Sequence, residues 1–357
     1  MKLSIILGTR PEIIKLSPII RECEKLGLNY FILHTGQHYS YQMDKVFFDQ
    51  LTLPEPLYNL AVGSSSHGKQ TGEMLAGIEQ ILQKESPDVI LVEGDTNTVL
   101  AGALAAAKLG IKVGHVEAGL RSYDRRMPEE INRILVDHCS DFLFVPTSHS
   151  KEILLKEGIA EAQIFVVGNT VVDAVIQNLV LSKSKAQTNK ALTIVEDEYI
   201  LATVHRQENV DSRERFRGII KGLAKVQAEF RIPLIYPVHP RAERRLKANS
   251  DDLANLQLIE PVDYLSFLQL EQNARLVLTD SGGVQEETCI LGVPCVTLRD
   301  NTERPETLEV GSNILVGTDP ERILEGARIM SNRTKQWRNP FGDGKTAKRI
   351  IETLVAN

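Results

Sequence analysis

A chain of 357 residues is too long for one hydrophobic core and implies two domains of ordinary size. Its 42% hydrophobic and 25% charged residues describe a globular protein, and a net charge of -6 with no block of Lys or Arg excludes a nucleic-acid binder. The opening Met1-Lys2-Leu3-Ser4-Ile5-Ile6-Leu7 is apolar for too few residues to be a signal peptide or membrane span, so a cytoplasmic protein with no membrane partner is expected.

That opening run predicts the first of a series of short β-branched strands separated by helical segments. In chain order strands are expected at Leu3–Leu7, Tyr30–His34, Asp88–Glu93, Ile111–Val116, Phe142–Val145 and Ile164–Val167. A second series follows at Ile200–Val204, Leu234–Val238, Leu256–Ile259, Leu276–Leu278, Cys295–Leu298 and Ile314–Val316. Between them an apolar helix, Val171–Leu181, leads into a polar stretch, Ser182 to Glu198, which reads as a linker. The alternation predicts an α/β protein with two Rossmann-like doubly wound domains facing a cleft, and ligands outside the carboxyl ends of the strands. Cys23, Cys139, Cys289 and Cys295 form no CxxC pair and no His/Cys metal spacing, so reduced thiols and no metal are expected.

Polar and ionisable residues collect where those strands end. After the first comes Gly8-Thr9-Arg10-Pro11-Glu12, with Pro11 suited to a helix start and Arg10 and Lys15 flanking the turn. Arg10 stands where a GxGxxG fingerprint needs its second glycine, which disfavours a nicotinamide cofactor. Later strands lead into Gly94-Asp95-Thr96-Asn97 and His115-Val116-Glu117-Ala118-Gly119-Leu120-Arg121, and Pro128-Glu129-Glu130-Ile131-Asn132-Arg133 opens a helix. In the second half His205-Arg206 and His239-Pro240-Arg241 close strands. Thr279-Asp280-Ser281-Gly282-Gly283-Val284-Gln285-Glu286-Glu287 turns a strand into a helix through glycines. Such a turn lets a ligand approach backbone N–H groups, and the helix start favours an anion, so a phosphorylated ligand is expected.

Each residue also has a purely structural reading: Asp95 as a helix cap, Glu129 and Glu130 as partners of a helix dipole, His205 as a hydrogen-bonder, and Arg121, Arg125 and Arg126 as a solvated surface. Their convergence on the same sheet edges favours a site. Arg10, Lys15, His239 and the Ser281-Gly282-Gly283 turn suit phosphates, while Asp95, Glu117, Glu129 and His205 suit proton transfer. Cations that hold a diphosphate beside carboxylate bases point to a nucleotide-sugar enzyme.

Together with Gly168-Asn169-Thr170, Thr302-Glu303-Arg304-Pro305-Glu306 and Asn339-Pro340-Phe341-Gly342-Asp343-Gly344, these motifs resemble the non-hydrolysing UDP-N-acetylglucosamine 2-epimerases, in detail the archaeal members, over nearly the whole chain. The resemblance implies a glycosyltransferase-B-like fold with an N-terminal domain at 1–170, a UDP-binding domain at 171–344 and a last helix, 345–357, returning to the first domain. It also implies a homodimer, a UDP-sugar substrate and no cofactor. The implied reaction is reversible C2 epimerisation of UDP-N-acetylglucosamine to UDP-N-acetylmannosamine by elimination of UDP through 2-acetamidoglucal and re-addition. Asp95, Glu117, Glu129 and His205 are the implied catalytic residues, with the acid/base pair at C2 among the three carboxylates. Arg10, Lys15, Arg133, His239, Ser281, Gly282, Gly283 and Glu287 would bind UDP or the sugar, Glu287 on the ribose hydroxyls.

One departure concerns regulation. Bacterial relatives carry Gln-His-Arg where this chain has Gln37-His38-Tyr39, in a region that helps bind a second, activating substrate molecule. Gln37 and His38 are expected to line the cleft still, with activation weaker or absent. A related UDP-acetamido sugar or uronate as substrate, a glycosyltransferase, a hydrolysing epimerase and a non-catalytic UDP-sugar sensor remain as alternatives.

Overall fold

Each expected strand forms, and each is followed by a helix that covers one face of a parallel sheet. The computed structural model describes residues 1–37, 41–185, 198–246 and 256–357, so the expected linker lies largely outside the described residues. The chain divides into two compact units, Met1–Gln177 with Phe341–Asn357, and Asn178–Pro340. The first division therefore falls inside a helix instead of at its start.

In the first unit the strands are β1 (Lys2–Leu7), β2 (Asn29–His34), β3 (Tyr58–Asn59), β4 (Val89–Glu93), β5 (Lys112–Val116), β6 (Phe142–Val145) and β7 (Ile164–Val166). Only β3 was not expected, because two residues carry no readable period. The helices are α1 (Arg10–Leu26), α2 (Tyr41–Leu51), α3 (His67–Glu85), α4 (Asn97–Lys108), α5 (Pro128–Cys139), α6 (Ser148–Lys156) and α7 (Thr170–Lys185). All the strands are parallel in the order β3-β2-β1-β4-β5-β6-β7. This is a doubly wound order that reverses between β1 and β4, and a crevice at that reversal is where such sheets take ligands. Ile5, Ile6 and Leu7 of β1 and Ile90, Leu91 and Val92 of β4 are fully buried, as central parallel strands covered on both faces require.

The second unit repeats the plan with β8 (Ile200–Thr203), β9 (Leu234–Pro237), β10 (Gln257–Ile259), β11 (Leu276–Thr279), β12 (Cys295–Thr297) and β13 (Asn313–Leu315). Its helices are α8 (Gln207–Val210), α9 (Arg213–Phe230), α10 (Pro240–Leu246), α11 (Tyr264–Gln272), α12 (Gly282–Leu291), α13 (Pro305–Glu309) and α14 (Pro320–Ser331). The sheet order is β10-β9-β8-β11-β12-β13, again reversing between its two central strands, with Thr203 of β8 in register with Thr279 of β11. Phe216, Ile219, Ile220 and Leu223 of α9 fill one face of its core.

The last helix, α15 (Thr346–Ala356), packs on α1 in the first unit and buries Ile350, Ile351 and Leu354. Its N-terminus is satisfied from α7, where the Asp173 carboxylate accepts from the backbone N–H groups of Thr346 at 3.2 Å and Ala347 at 3.0 Å. Gly168 makes the crossing possible. Its φ is 96°, and a Cβ there would stand 2.8 Å from Thr346 Oγ1 and 3.0 Å from Phe341 O. No helix among the described residues is long and apolar enough to cross a membrane. The four cysteines are free thiols, with Cys139 half-buried and the others buried.

Candidate active site

At the reversal of the first sheet, the turns after β1, β4 and β5 gather four ionisable side chains. α1 is capped by its own third residue: the Glu12 carboxylate accepts from the N–H groups of Gly8 at 2.5 Å and Thr9 at 3.0 Å. Its other oxygen takes the Thr96 hydroxyl at 2.5 Å. Burial is the largest influence on Glu12, outweighing these donors and pushing its pKa up to about 7. One turn on, the Lys15 ammonium pairs with Glu117 and lies 3.2 Å from Glu93 Oε1. Lys15, expected to face phosphates, is thus engaged by carboxylates.

Glu117 holds a left-handed backbone, φ 68°, a conformation that costs a non-glycine residue about 1–3 kcal/mol. The turn is fixed by Ala118 N–H, which donates to Phe144 O at 3.2 Å, and the side chain by Asn169 Nδ2 at 3.0 Å. Gly119 follows with φ 79°, where a Cβ would meet Ser150 O at 2.7 Å. The Glu-Ala-Gly motif is therefore a backbone device that aims one carboxylate.

Asp95, after β4, is half-buried and does not cap α4. Thr96 does, through an Oγ1 that accepts from Val99 N–H at 3.5 Å. Asp95 is gripped instead by Arg133 of α5, whose Nε and Nη2 both donate to Oδ2, and Asn132 Nδ2 donates to its backbone carbonyl at 2.9 Å. Arg133 also donates to Glu130 at 2.7 Å. Glu130 is buried, which pushes its carboxyl up, yet the donors of Ser122, Tyr123 and Arg133 together hold it below the usual carboxylate range. Glu129, its neighbour on the first turn of α5, is exposed and stands apart from these contacts. Arg10 is exposed at the start of α1 with its guanidinium 5.1 Å from the centre of the Phe47 ring.

Two further polar side chains are buried in this unit. Gln37 is buried, its Oε1 accepting from Thr98 N–H at 3.0 Å and Thr98 Oγ1 at 2.8 Å, while His38 lies outside the described residues. Arg121 is no solvated surface residue. Its guanidinium is buried between Asp137 and Glu157, and Asp137 also pairs with His115 Nδ1 at 2.7 Å.

In the second unit the turn between β11 and α12 is built around Asp280, a fully buried carboxylate missed as a separate feature of its motif. It accepts from the backbone N–H groups of His205 and Arg206 and from Asn209 Nδ2, each at 3.0 Å, so the turn after β8 is tied to the turn after β11. Ser281 caps α12, accepting from Val284 N–H at 3.5 Å. A Cβ on Gly282 would lie 3.6 Å from Arg206 Nη2, and one on Gly283 4.0 Å from Ser281 Oγ. Neither glycine is required by crowding from the chain itself. The His205 and His239 rings lie 5.6 Å apart beside this turn, His205 38% exposed.

Sequence reading also missed the salt bridges behind the turn. Arg299 donates to both oxygens of Glu303 at 2.9 Å. Burial raises Glu303, but the Arg299 fork and the charge of Arg206 pull it down to about 2. Arg304 pairs with Glu286 at 2.7 Å. Glu287 lies buried on α12 beside Glu271, whose carboxyl is pushed well above the usual range by burial and then by the Glu287 charge.

The sequence profile described as UDP-N-acetylglucosamine 2-epimerase matches residues 21–355. A UDP-N-acetylglucosamine 2-epimerase of Methanocaldococcus jannaschii is 57% identical over 362 residues, covering 99% of each chain. A crystal structure of the enzyme of that name and organism, in complex with UDP-GlcNAc and UDP, superposes with a TM-score of 0.90 at 56% identity over the whole of both chains. A UDP-2,3-diacetamido-2,3-dideoxy-D-glucuronate 2-epimerase of Pseudomonas aeruginosa is 43% identical, covering 99% of each chain.

Proposed function

The chain belongs to the UDP-N-acetylglucosamine 2-epimerase family, with its glycosyltransferase-B-like α/β fold, and from that premise we propose how it interconverts UDP-N-acetylglucosamine and UDP-N-acetylmannosamine. The C2 hydrogen of the sugar is not acidic, so inversion proceeds by elimination. The C1–O bond to UDP and the C2–H bond break, a C1–C2 double bond forms, and 2-acetamidoglucal and UDP result. Re-addition of UDP at C1 with a proton delivered to the opposite face of C2 gives the epimer.

The single observation that carries this assignment is the pair of carboxylates, Asp95 and Glu117, at one edge of the first sheet, each paired with a cation. They supply the groups that remove and return the C2 proton, with Glu129 the third candidate on the rim of the same unit. Arg133 and Lys15 orient them. The Ser281-Gly282-Gly283 turn and the start of α12 bind the diphosphate, with His239 and Arg10 as additional polar contacts. His205 protonates or hydrogen-bonds the departing phosphate oxygen, and Glu287 holds the ribose hydroxyls. A cytoplasmic homodimer is the working form, checked by sedimentation at assay concentration. Gln37 and His38 remain the proposed second-site residues, with weak or absent activation, which sigmoidal rates on UDP-N-acetylglucosamine would contradict.

The test is to incubate the protein with UDP-N-acetylglucosamine in deuterated water, without added metal or NAD, and follow proton NMR. UDP-N-acetylmannosamine carrying deuterium at C2 is the expected product, and free N-acetylmannosamine with UDP would move the protein to the hydrolysing class. The similarity to the Pseudomonas aeruginosa enzyme favours a second reading, a 2,3-diacetamido uronate as the sugar. A kcat/KM for that substrate at least tenfold above the value for UDP-N-acetylglucosamine would establish it.

A further inference from the structure

Glu93 carries none of the roles assigned above, yet it lies inside the carboxylate cluster. It is the last residue of β4, 2% exposed, and pairs in register with Val116, the residue before Glu117. Glu93 and Glu117 thus share the single ammonium of Lys15, and the charge of Glu12 also reaches Glu93. Their hydrogen-bonding is unequal. Glu12 takes two backbone N–H groups and a hydroxyl, and Glu117 takes Lys15 and Asn169. Among the described residues Glu93 Oε1 takes no backbone N–H, and its contact is the Lys15 ammonium at 3.2 Å.

Glu93 and Glu117 share one cation out of water, and of that pair Glu93, the one with fewer donors, is the carboxyl that takes up a proton. Burial is the largest influence on Glu93 and raises it well above the usual range. Lys15 opposes that, and the charges of Glu117 and Glu12 reinforce it. Among the described residues these are the ionisable groups that face it, two from α1 and one from the turn after β5.

We propose that Glu93 is a positioning residue acting through Lys15: as the neutral acid it leaves the ammonium to Glu117 and so keeps Glu117 ionised for proton transfer at C2. This rests on the reading of Glu117 given above. Ionisation of Glu93 draws Lys15 toward itself and places a second negative charge beside Glu117. The two carboxyls then compete for one cation, and proton transfer at C2 slows.

The experiment is the pH profile of kcat/KM for the wild type, Glu93→Gln and Glu93→Asp, alongside a carbon-13 NMR titration of protein labelled at the glutamate carboxyl carbons. In the wild type kcat/KM falls on the alkaline side, with a midpoint equal to that of one glutamate resonance that vanishes in Glu93→Gln. One pH unit above that midpoint the wild type has lost about tenfold from its plateau, whereas Glu93→Gln holds its own plateau and Glu93→Asp regains an alkaline limb. Identical profile shapes for wild type and Glu93→Gln, or a Glu93 resonance titrating in the ordinary carboxylate range, would overturn the proposal. UDP binding, measured in parallel, confirms that each variant is folded. Should the wild type fail to epimerise any UDP-sugar, the functional reading fails by itself, and the NMR titration still decides the charge state of Glu93.

Discussion

Arg133 donates twice to one oxygen of Asp95, from Nε at 3.0 Å and from Nη2 at 2.6 Å. The other oxygen accepts no hydrogen bond among the described residues, and the side chain is 29% exposed. A carboxylate clamped at one oxygen and open at the other is positioned to take a proton. Asp95→Asn keeps the shape and removes the base. Turnover should drop by at least about a thousandfold while UDP affinity stays within about threefold, measured by NMR and calorimetry. Equal losses in both would move Asp95 from proton transfer to binding.

Arg133 itself does two jobs with one planar group, holding Asp95 and, through Nη1, Glu130 at 2.7 Å. A lysine ammonium cannot reproduce that fork. Arg133→Lys is expected to lower kcat about ten- to a hundredfold with a smaller change in KM, because the base is misplaced more than the substrate is released. A change in KM alone would mark Arg133 as a substrate-binding residue.

Glu12 gives a pH dependence of stability whose sign follows from its raised pKa of about 7. The folded state binds this proton more tightly than the unfolded state, whose value is 4.5, so its contribution to stability is complete below pH 4.5 and is lost as pH rises toward 7. Glu12→Gln mimics the neutral acid, with the amide N–H groups toward Thr96 Oγ1 and the oxygen toward Gly8 and Thr9. Urea unfolding should therefore show little difference between variant and wild type near pH 4.5. Above pH 7 the variant should be the more stable, by at most about 3 kcal/mol. A variant less stable than wild type at pH 8 would show that the buried charge is compensated.

Much of this was legible from sequence, and what was not has a physical cause. The strands were readable because β-branched runs buried on both faces leave a continuous apolar signal, and only the two-residue β3 falls below it. The residues after the strands were readable because turns expose the polar types that chemistry needs. Glu93 was not, since one acidic residue closing an apolar strand looks like any strand end. Its meaning depends on Lys15, which also reaches Glu117 across 102 positions of sequence. Asp280 likewise acquires its role only when β8 and β11 become neighbours and bring His205 N–H to it from 75 positions away. Glu129 and Glu130 differ for a third reason: on the first turn of a helix, sequence alone cannot tell which of two adjacent acids turns inward, and here Glu130 does.

Asp280 should be a stability residue with a binding phenotype. Removing its carboxylate strands the N–H groups of His205 and Arg206 and the amide of Asn209. Asp280→Ala is expected to cost about 3 kcal/mol or more in denaturant unfolding and to weaken UDP binding with it, since both turns lose their common anchor. Loss of UDP affinity with stability unchanged would mean that Asp280 meets the nucleotide directly.

Gly282 and Gly283 should show the reverse pattern. Neither has a left-handed backbone, and an added methyl would meet nothing closer than 3.6 Å. They open α12, where alanine is a better helix former than glycine, so Gly283→Ala should leave stability unchanged or raise it by up to about 1 kcal/mol. A diphosphate drawn against the N–H groups of that turn would collide with the methyl, and UDP affinity should fall at least about tenfold. Gly168→Ala is the contrasting control, because its methyl would press on Thr346 Oγ1 and Phe341 O from a backbone at φ 96°. It should destabilise the first unit while leaving UDP affinity of the folded protein unchanged. UDP binding that survives Gly283→Ala intact would place the diphosphate away from the Ser281-Gly282-Gly283 turn, and with it the assignment of α12 as the anion-binding helix would fall.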